Sequence, residues 1–439
     1  MLEMKKNRSI LAAFLFCTSV FWACTESNPP FPAEAVAETQ PTLDGATKPA
    51  DSTQKEITKP DSAQKETTKS DSIAEDTTKL FSGFDENNAL HTYIVGDDSG
   101  QLYSGKLYLG FPADSFLTKF ELGDIVTVAI NGYDTLEVPV GTSSGDVPIA
   151  WFVLAVMTGS NDLLLTMHNG ELAEVLGITD VKTPIEVVVS MKEKGGFKFG
   201  LEMLKVQYMD VYTENYPTLS IEEFANFREV RTTGMGKNKL YRSSSPVDPC
   251  LGRNLKADSL AKEAGVATFI NLADTENSAK SFRDFDSSYY ATQNAIFLAL
   301  PVEFFSKPFE EGLARGFRYM IEHEGPYLVH CTYGMDRTGF SIAILEALMG
   351  ATTEEIQADY AKTFSNYYYV VDGKQIPLNE QQVDFFKAVV LRNLKAVYRA
   401  EGVEVHDTGN IDWATATAKY LETYGLTPEE ISALKEKLK

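Results

Sequence analysis

Tyr327-Leu328-Val329-His330-Cys331-Thr332-Tyr333-Gly334-Met335-Asp336-Arg337-Thr338-Gly339, running on into the apolar stretch Phe340 to Met349, holds three elements in immediate succession. Tyr327 to Val329 reads as a short strand, His330 to Gly339 as a polar turn, and Phe340 to Met349 as a buried helix. Two further segments upstream repeat the alternation. Leu255 to Gly265 is an amphipathic helix ending at glycine and followed by the strand Val266 to Leu272. Glu310 to Glu322 is a helix ending near Gly325-Pro326, just before Tyr327. Such order implies an α/β domain with a central, largely parallel sheet flanked by helices. The turn at Cys331 then lies at the carboxyl end of a strand, where open α/β sheets hold ligands.

The residues of that turn have a chemistry in common. A cysteine, five residues and an arginine between strand and helix form a loop whose backbone amides converge, and the helix adds its positive end. The loop suits a tetrahedral dianion, with Thr332, Tyr333, Gly334, Met335 and Gly339 as the substrate-binding stretch. Arg337 can give two parallel hydrogen bonds to phosphate oxygens, a geometry lysine does not match. The same field favours the thiolate of Cys331, which makes it a nucleophile toward phosphorus. Amides and arginine would then stabilise the equatorial oxygens of the transition state.

His330-Cys331-x5-Arg337-Thr338 resembles the signature of the cysteine-dependent tyrosine phosphatases. It is most similar to the bacterial group with a Gly-Lys-Asp-Arg-Thr-Gly loop, some of which also act on phosphoinositides. Leu240-Tyr241-Arg242-Ser243-Ser244 resembles that group's Tyr-Arg-Ser element. Ile270-Asn271-Leu272-Ala273-Asp274 with Glu276 stands where relatives carry a strand and an acidic turn. The likeness covers about residues 208–399. It implies a phosphocysteine at Cys331, phosphate binding by Arg337, thiolate release assisted by the hydroxyl of Thr338, and a loop-orienting role for His330. The family's lysine before Asp-Arg is here Met335, which removes a cation suited to additional phosphates. No cofactor and no metal is implied.

The general acid has two candidates. Asp336 matches the family's loop aspartate, and Glu303 lies 28 residues before Cys331, near the place where many relatives carry an acid on a separate loop. Asp274 and Glu276 read as turn and helix-cap residues. Arg242 reads as a buried structural arginine, with a second phosphate ligand as the alternative. Tyr367-Tyr368-Tyr369 and Phe385-Phe386 read as core before they read as a cleft for an aromatic ring. Cys250, in Pro249-Cys250-Leu251-Gly252, reads as a small thiol, or else as a partner able to trap Cys331 as a disulfide. Amphipathic helices at Thr353 to Phe364, Glu380 to Ala400, Ile411 to Tyr424 and Thr427 to Leu438 are expected to cap the site.

The rest of the chain has another composition. Residues 80–205 alternate in short apolar runs. Ile125 to Ile130, Asn131-Gly132 and Leu136 to Val140 form a hairpin, and Trp151 to Met157, Leu163 to Met167 and Ile185 to Met191 form strands. One short helix is expected between Gly170 and Leu176. His91 and His168 have no ligand spacing, and the segment is a smaller β-rich domain without visible chemistry. Residues 206–439 are the phosphatase-like domain.

Residues 24–79 repeat Thr-Lys every ten or eleven positions (Thr47, Thr58, Thr68, Thr78) among Ser, Asp, Glu and Pro, and read as a disordered tether. Residues 1–23 have a signal's form: Lys5, Lys6 and Arg8, then the apolar run Ile10 to Ala23. Ala23-Cys24 resembles a lipobox with Phe21 and Trp22 in place of its usual Leu and small residue. Cys24 is therefore expected to carry lipid and to anchor the protein at the periplasmic or extracellular face of a bacterial envelope, the alternative being an ordinary cleaved signal or an uncleaved anchor.

Net charge is −22 over 439 residues. That surface repels nucleic acid and leaves an anionic substrate dependent on a local positive site. The expected substrate is a phosphorylated protein or a small phosphomonoester. Inositol phosphates, or an inactive phosphate-binding module, are the competing readings.

Overall fold

The computed structural model describes residues 82–157, 159–204, 219–367, 369–371, 374–405 and 411–439. The signal, Cys24 and the tether lie outside these residues, as does Tyr368. No helix among the described residues is long and apolar enough to cross a membrane.

The first half is a barrel. Strands β1 (Gly83–Phe84), β2 (Leu90–Val95), β3 (Leu107–Leu109), β4 (Ile125–Ile130), β5 (Leu136–Gly141), β6 (Phe152–Val156), β7 (Leu163–Met167) and β8 (Glu186–Glu193) pair in the order β1-β2-β3-β7-β6-β5-β4-β8. A further pairing of β2 with β8 closes seven of them into a ring. Closure removes the exposed edges that the open strands would present. Along β2 and β4 burial alternates residue by residue, so one face of each fills the interior around Leu90, Val126, Val128 and Val189. The short helix is Leu172–Leu176, stopped by Gly177 at φ 71°.

The second half is α/β. Its sheet has the order β12-β11-β13-β10-β9, with β9 Arg228–Glu229, β10 Leu240–Ser243, β11 Thr268–Asn271, β12 Asn294–Phe297 and β13 Tyr327–His330. The pairs β10–β13, β11–β13 and β11–β12 are parallel, and β9 lies antiparallel on β10. Ser243 and Asn271 both stand in register with His330, and Phe297 with Asn271. Four carboxyl ends are therefore level, and the segments that leave them open onto one edge.

Helices α1 (Asn254–Glu263), α2 (Glu276–Ser281), α3 (Lys307–Glu322), α4 (Asp336–Met349), α5 (Thr353–Ser365), α6 (Glu380–Ala400), α7 (Trp413–Thr423) and α8 (Pro428–Leu438) complete the lobe. Helix α4 is apolar on all sides and 12 of its 14 residues are buried, as a helix without a polar face must be. Helices α5 to α8 pack around it. They enclose the helix that carries Asp336 and Arg337, where the sequence suggested a cap over the site. The barrel and the lobe share a seam: Trp151 packs on Phe385, the Arg392 guanidinium lies 4.1 Å from the centre of the Trp151 ring, and Phe152 meets Phe305.

Candidate active site

Cys331 follows β13 directly, and its side chain is buried. Helix α4 starts at Asp336, four residues earlier than the sequence suggested, so Asp336, Arg337 and Thr338 form its first turn. The turn itself is thus only Cys331 to Met335. Gly334 takes φ 67°, and a Cβ there would lie 2.1 Å from the Ser243 carbonyl, so only glycine fits.

Every carbonyl from Thr332 to Gly334 is turned outward to a partner. Thr332 O accepts the Ser245 amide at 3.0 Å, Tyr333 O accepts the Tyr367 hydroxyl at 2.6 Å, and Gly334 O accepts Arg242 Nη2 at 2.9 Å and Asn226 Nδ2 at 3.1 Å. The amides of Thr332, Gly334 and Met335 make no hydrogen bond among the described residues. They stand beside the first amides of α4, which have no intrahelical acceptor. Donors left over in a buried turn at a helix N-terminus form a cradle for an anion. Arg337 Nη1 donates to the Leu300 carbonyl at 2.9 Å, which fixes the guanidinium at the mouth. Leu300 is fixed in turn, because Gly312 of α3 leaves no room for a Cβ against its side chain.

A buried charge cluster holds the loop from behind. Arg242 is fully buried, and bonds Asp359 and Thr363 as well as Gly334. Arg228 donates to Asp359 at 2.6 Å and to Asn226 at 2.8 Å. Burial pushes the Asp359 carboxyl up, but Arg228 and Arg242 outweigh it and hold the group at about 2. Arg242 is a structural arginine, as its sequence context suggested, and is not available as a second phosphate ligand.

His330 is fully buried, with Nε2 3.2 Å from the Tyr290 hydroxyl. Burial drives its pKa to about 3, so the ring is neutral and serves as a brace. Asp336 is half-buried. Desolvation raises its pKa to about 6 against the pull of Arg337, leaving it able to hold and release a proton near neutrality. Glu303 is exposed on the segment after β12, and among the described residues no hydrogen bond or ion pair ties it to the loop. Thr338 Oγ1 is buried and makes no hydrogen bond, so its donor is uncommitted.

Several residues differ from the sequence reading. The Met335 side chain joins the hydrophobic core, so only its amide faces the cradle. Gly339 is no part of it: its amide is spent on Met335 O at 2.7 Å, and its missing side chain admits the Tyr360 ring. Asp274 forms no turn and no cap. Asn271 Oδ1 accepts the Ala273 and Asp274 amides, and Thr275 caps α2, while Glu276 pairs with Lys280. Tyr367 is core, and Phe385 and Phe386 face the seam and α5. Cys250 is exposed in a short 3₁₀ turn and has no disulfide. Asn226, Leu300 and the Tyr367 hydroxyl bond the loop or Arg337 from more than thirty residues away, and Arg228 and Asp359 support it through Asn226 and Arg242, so no local pattern in the sequence marks these contacts.

The lobe is thus a parallel-stranded α/β layer whose cysteine and arginine bracket a tight loop with uncommitted amides. The chain belongs to the tyrosine phosphatase family, whose sequence profile matches residues 219–439, half of its length and none of the barrel. Solved structures similar to it include P. aeruginosa TpbA (18% identity, TM-score 0.22, covering 35% of this chain and 88% of that one). A Cys-to-Ser form of TpbA in complex with pTyr matches at 16% identity and TM-score 0.23, over 39% and 94% of the two chains. An uncharacterized conserved protein from Thermotoga maritima matches at 18% and 0.21, over 26% of this chain, which covers 39% of that protein's length. No curated protein sequence matches the chain.

Proposed function

We propose that the lobe hydrolyses phosphomonoesters through a phosphocysteine, as a protein tyrosine or dual-specificity phosphatase. The observation that carries this reading is the inverted loop, with its carbonyls engaged outward and the Thr332, Gly334 and Met335 amides uncommitted beside Cys331 and Arg337. The phosphate dianion sits on those amides and on Arg337. Cys331 attacks phosphorus, and Asp336 protonates the departing oxygen as the P–O bond breaks. Water then cleaves the P–S bond, and Thr338 Oγ1 donates to the leaving sulfur. Arg242 is committed to Asp359 and Met335 replaces a cation, which favours singly phosphorylated groups over polyphosphorylated inositols. Cys331→Ser should abolish turnover of an aryl phosphate by roughly 10⁴-fold, while chelator leaves the wild type unaffected. An active serine variant, or loss of activity with chelator, would overturn the reading.

The same proposal covers the N-terminus: residues 1–23 as signal, Cys24 as lipid site and residues 24–79 as a spacer holding the enzyme off an envelope membrane. Cys24→Ala should move the protein from the membrane to the soluble fraction after export. Retention on the membrane would count against it.

A further inference from the structure

Asp274 is a buried carboxylate whose one hydrogen bond among the described residues is with Asn271. It lies three residues beyond β11 and is 3% exposed. Its neighbours make the turn and the helix cap, and among the described residues its carboxyl accepts no backbone amide. The one hydrogen bond it receives there is from Asn271 Nδ2 to Oδ2, at 3.0 Å. A desolvated carboxyl costs stability, and proteins keep such groups where chemistry needs them.

Its place in the fold indicates which chemistry. Asn271 stands in register with His330, and the Leu272 amide donates to His330 O at 2.9 Å, so the Asp274 turn emerges beside Cys331. On the other side, Leu300 N donates to Leu272 O at 2.8 Å while Leu300 O takes Arg337. The Asp274 turn, Leu300 and Arg337 therefore form one hydrogen-bonded rim around the cradle. Asn271 and Asp274 also act electrostatically on Tyr290, whose hydroxyl lies 3.2 Å from His330 Nε2, which places the carboxyl near the brace behind the nucleophile. The charged and titratable groups facing Asp274 are Asp248, Arg337 and the Tyr290 hydroxyl. Burial raises it, Asn271 lowers it, Asp248 raises it and Arg337 lowers it, with a net value of about 6.

We propose that Asp274 is a second acid–base residue of the cradle, taking the proton of the water that hydrolyses the phosphocysteine. The inference rests on the phosphatase reading above and adds a division of labour to it. In the second step a water O–P bond forms as the P–Sγ bond breaks. The electron pair returns to Cys331 as thiolate, the water proton passes to the Asp274 carboxylate, and inorganic phosphate leaves. Asp336 and Asp274 titrate in the same range, so near pH 6 one carboxyl can hold a proton while the other lacks one.

Rapid mixing of the full chain with an activated aryl phosphate separates the two steps. Asp274→Asn, which can still accept the Asn271 hydrogen bond, should keep a stoichiometric burst of phenol and then turn over about 10²-fold more slowly, with phosphate trapped on Cys331 by acid quench. Asp274→Ala should behave alike and be rescued by formate, which a merely structural role would not permit. Normal steady-state turnover in both variants, or loss of burst and turnover in equal proportion without formate rescue, would overturn the inference. A wild type that turns over with no trapped phosphocysteine would instead overturn the parent reading, and this one with it.

Discussion

The barrel buries one carboxylate among the described residues, Asp124, and ties both of its oxygens to backbone amides, those of Glu121 and Gly195, at 2.7 Å each. The lobe treats its buried polar groups differently. Thr338 Oγ1, Ser341 Oγ and Glu346 Oε1, all on α4, have no hydrogen-bond partner among the described residues. Asp274 has a single one, and Arg228, Arg242 and Asp359 form a desolvated cluster behind the loop. A buried polar group left unsatisfied costs about 1–3 kcal/mol. The barrel carries that cost at one side-chain atom among the described residues, Trp151 Nε1, where the lobe carries it at several, three of them on α4 and others, such as Thr232 Oγ1, Asn393 Oδ1 and Tyr420 Oη, outside that helix. Asp124 is saturated by the backbone it holds together, whereas Thr338 and Asp274 keep bonding capacity near Cys331.

The sharpest way to break this contrast is to ask which carboxyl gives up its proton to the leaving group. Good leaving groups depart without help and poor ones do not, so removing the acid should be selective. Asp336→Asn should slow hydrolysis of phosphotyrosine or an alkyl phosphate by roughly 10²–10³-fold, and an activated nitrophenyl ester far less. It should also flatten the alkaline limb of the pH–rate profile, because the group that titrates at about 6 is gone. Glu303→Gln, exposed and unconnected to the loop, should leave both substrates near wild type. The reverse pattern would move the acid to the segment after β12.

An effect of comparable size is expected from the cluster that braces the loop. Asp359→Asn leaves Arg228 and Arg242 buried without their hydrogen-bonded counter-charge, and with Glu346, whose carboxyl burial pushes well up, as the remaining acidic group beside them, which should cost about 3–5 kcal/mol in urea unfolding at pH 7. The Asp359 carboxyl is held at about 2, below its ordinary 3.8, so the stability it confers is full above about pH 4 and is lost as pH falls toward 2. The gap between variant and wild type should close over that window. A loss under about 1 kcal/mol at pH 7 would mean that the cluster is not what secures Arg242 against Gly334.

These pairs also show what a sequence can and cannot display. Cys331, Asp336 and Arg337 are close together in the chain, so their chemistry is legible as a motif. Arg242 and Asp359 are 117 residues apart, and nothing local marks them as partners. The start of α4 is hidden because Thr338-Gly339 resembles a turn, whereas Gly339 is small to admit Tyr360. Strands β9 and β10 span two and four residues, too few to show a period, and β10 is buried throughout. The β4–β5 hairpin is legible from Asn131-Gly132, but closure through β2 and β8 joins segments nearly a hundred residues apart. Asp274 reads as a turn residue because aspartates after strands usually are. Its neighbour Asn271 performs that role and leaves the carboxyl with a single hydrogen bond.

Such sparse bonding predicts an inverted pH dependence. A carboxyl whose folded-state pKa is raised binds its proton more tightly in the fold than in the unfolded chain, so the ionised form opposes folding. For Asp274 the ordinary value is 3.8 and the folded value about 6. The penalty is absent below about pH 4, grows between pH 4 and 6, and is complete above it. It amounts to at most about 3 kcal/mol, since each tenfold gain in proton affinity corresponds to roughly 1.4 kcal/mol. Asp274→Asn removes the ionisation and keeps the Asn271 hydrogen bond, so it should be more stable than wild type at pH 8 and close to it at pH 4. Asp124 supplies the structural contrast in the barrel. Its carboxylate is a working part of two backbone contacts, so Asp124→Asn should destabilise at pH 8. Thermal midpoints of the two variants across pH 4 to 8 test the contrast directly. If Asp274→Asn also loses stability at pH 8, the carboxyl has a structural role after all, and the distinction between the two halves of the molecule fails at its most exposed point.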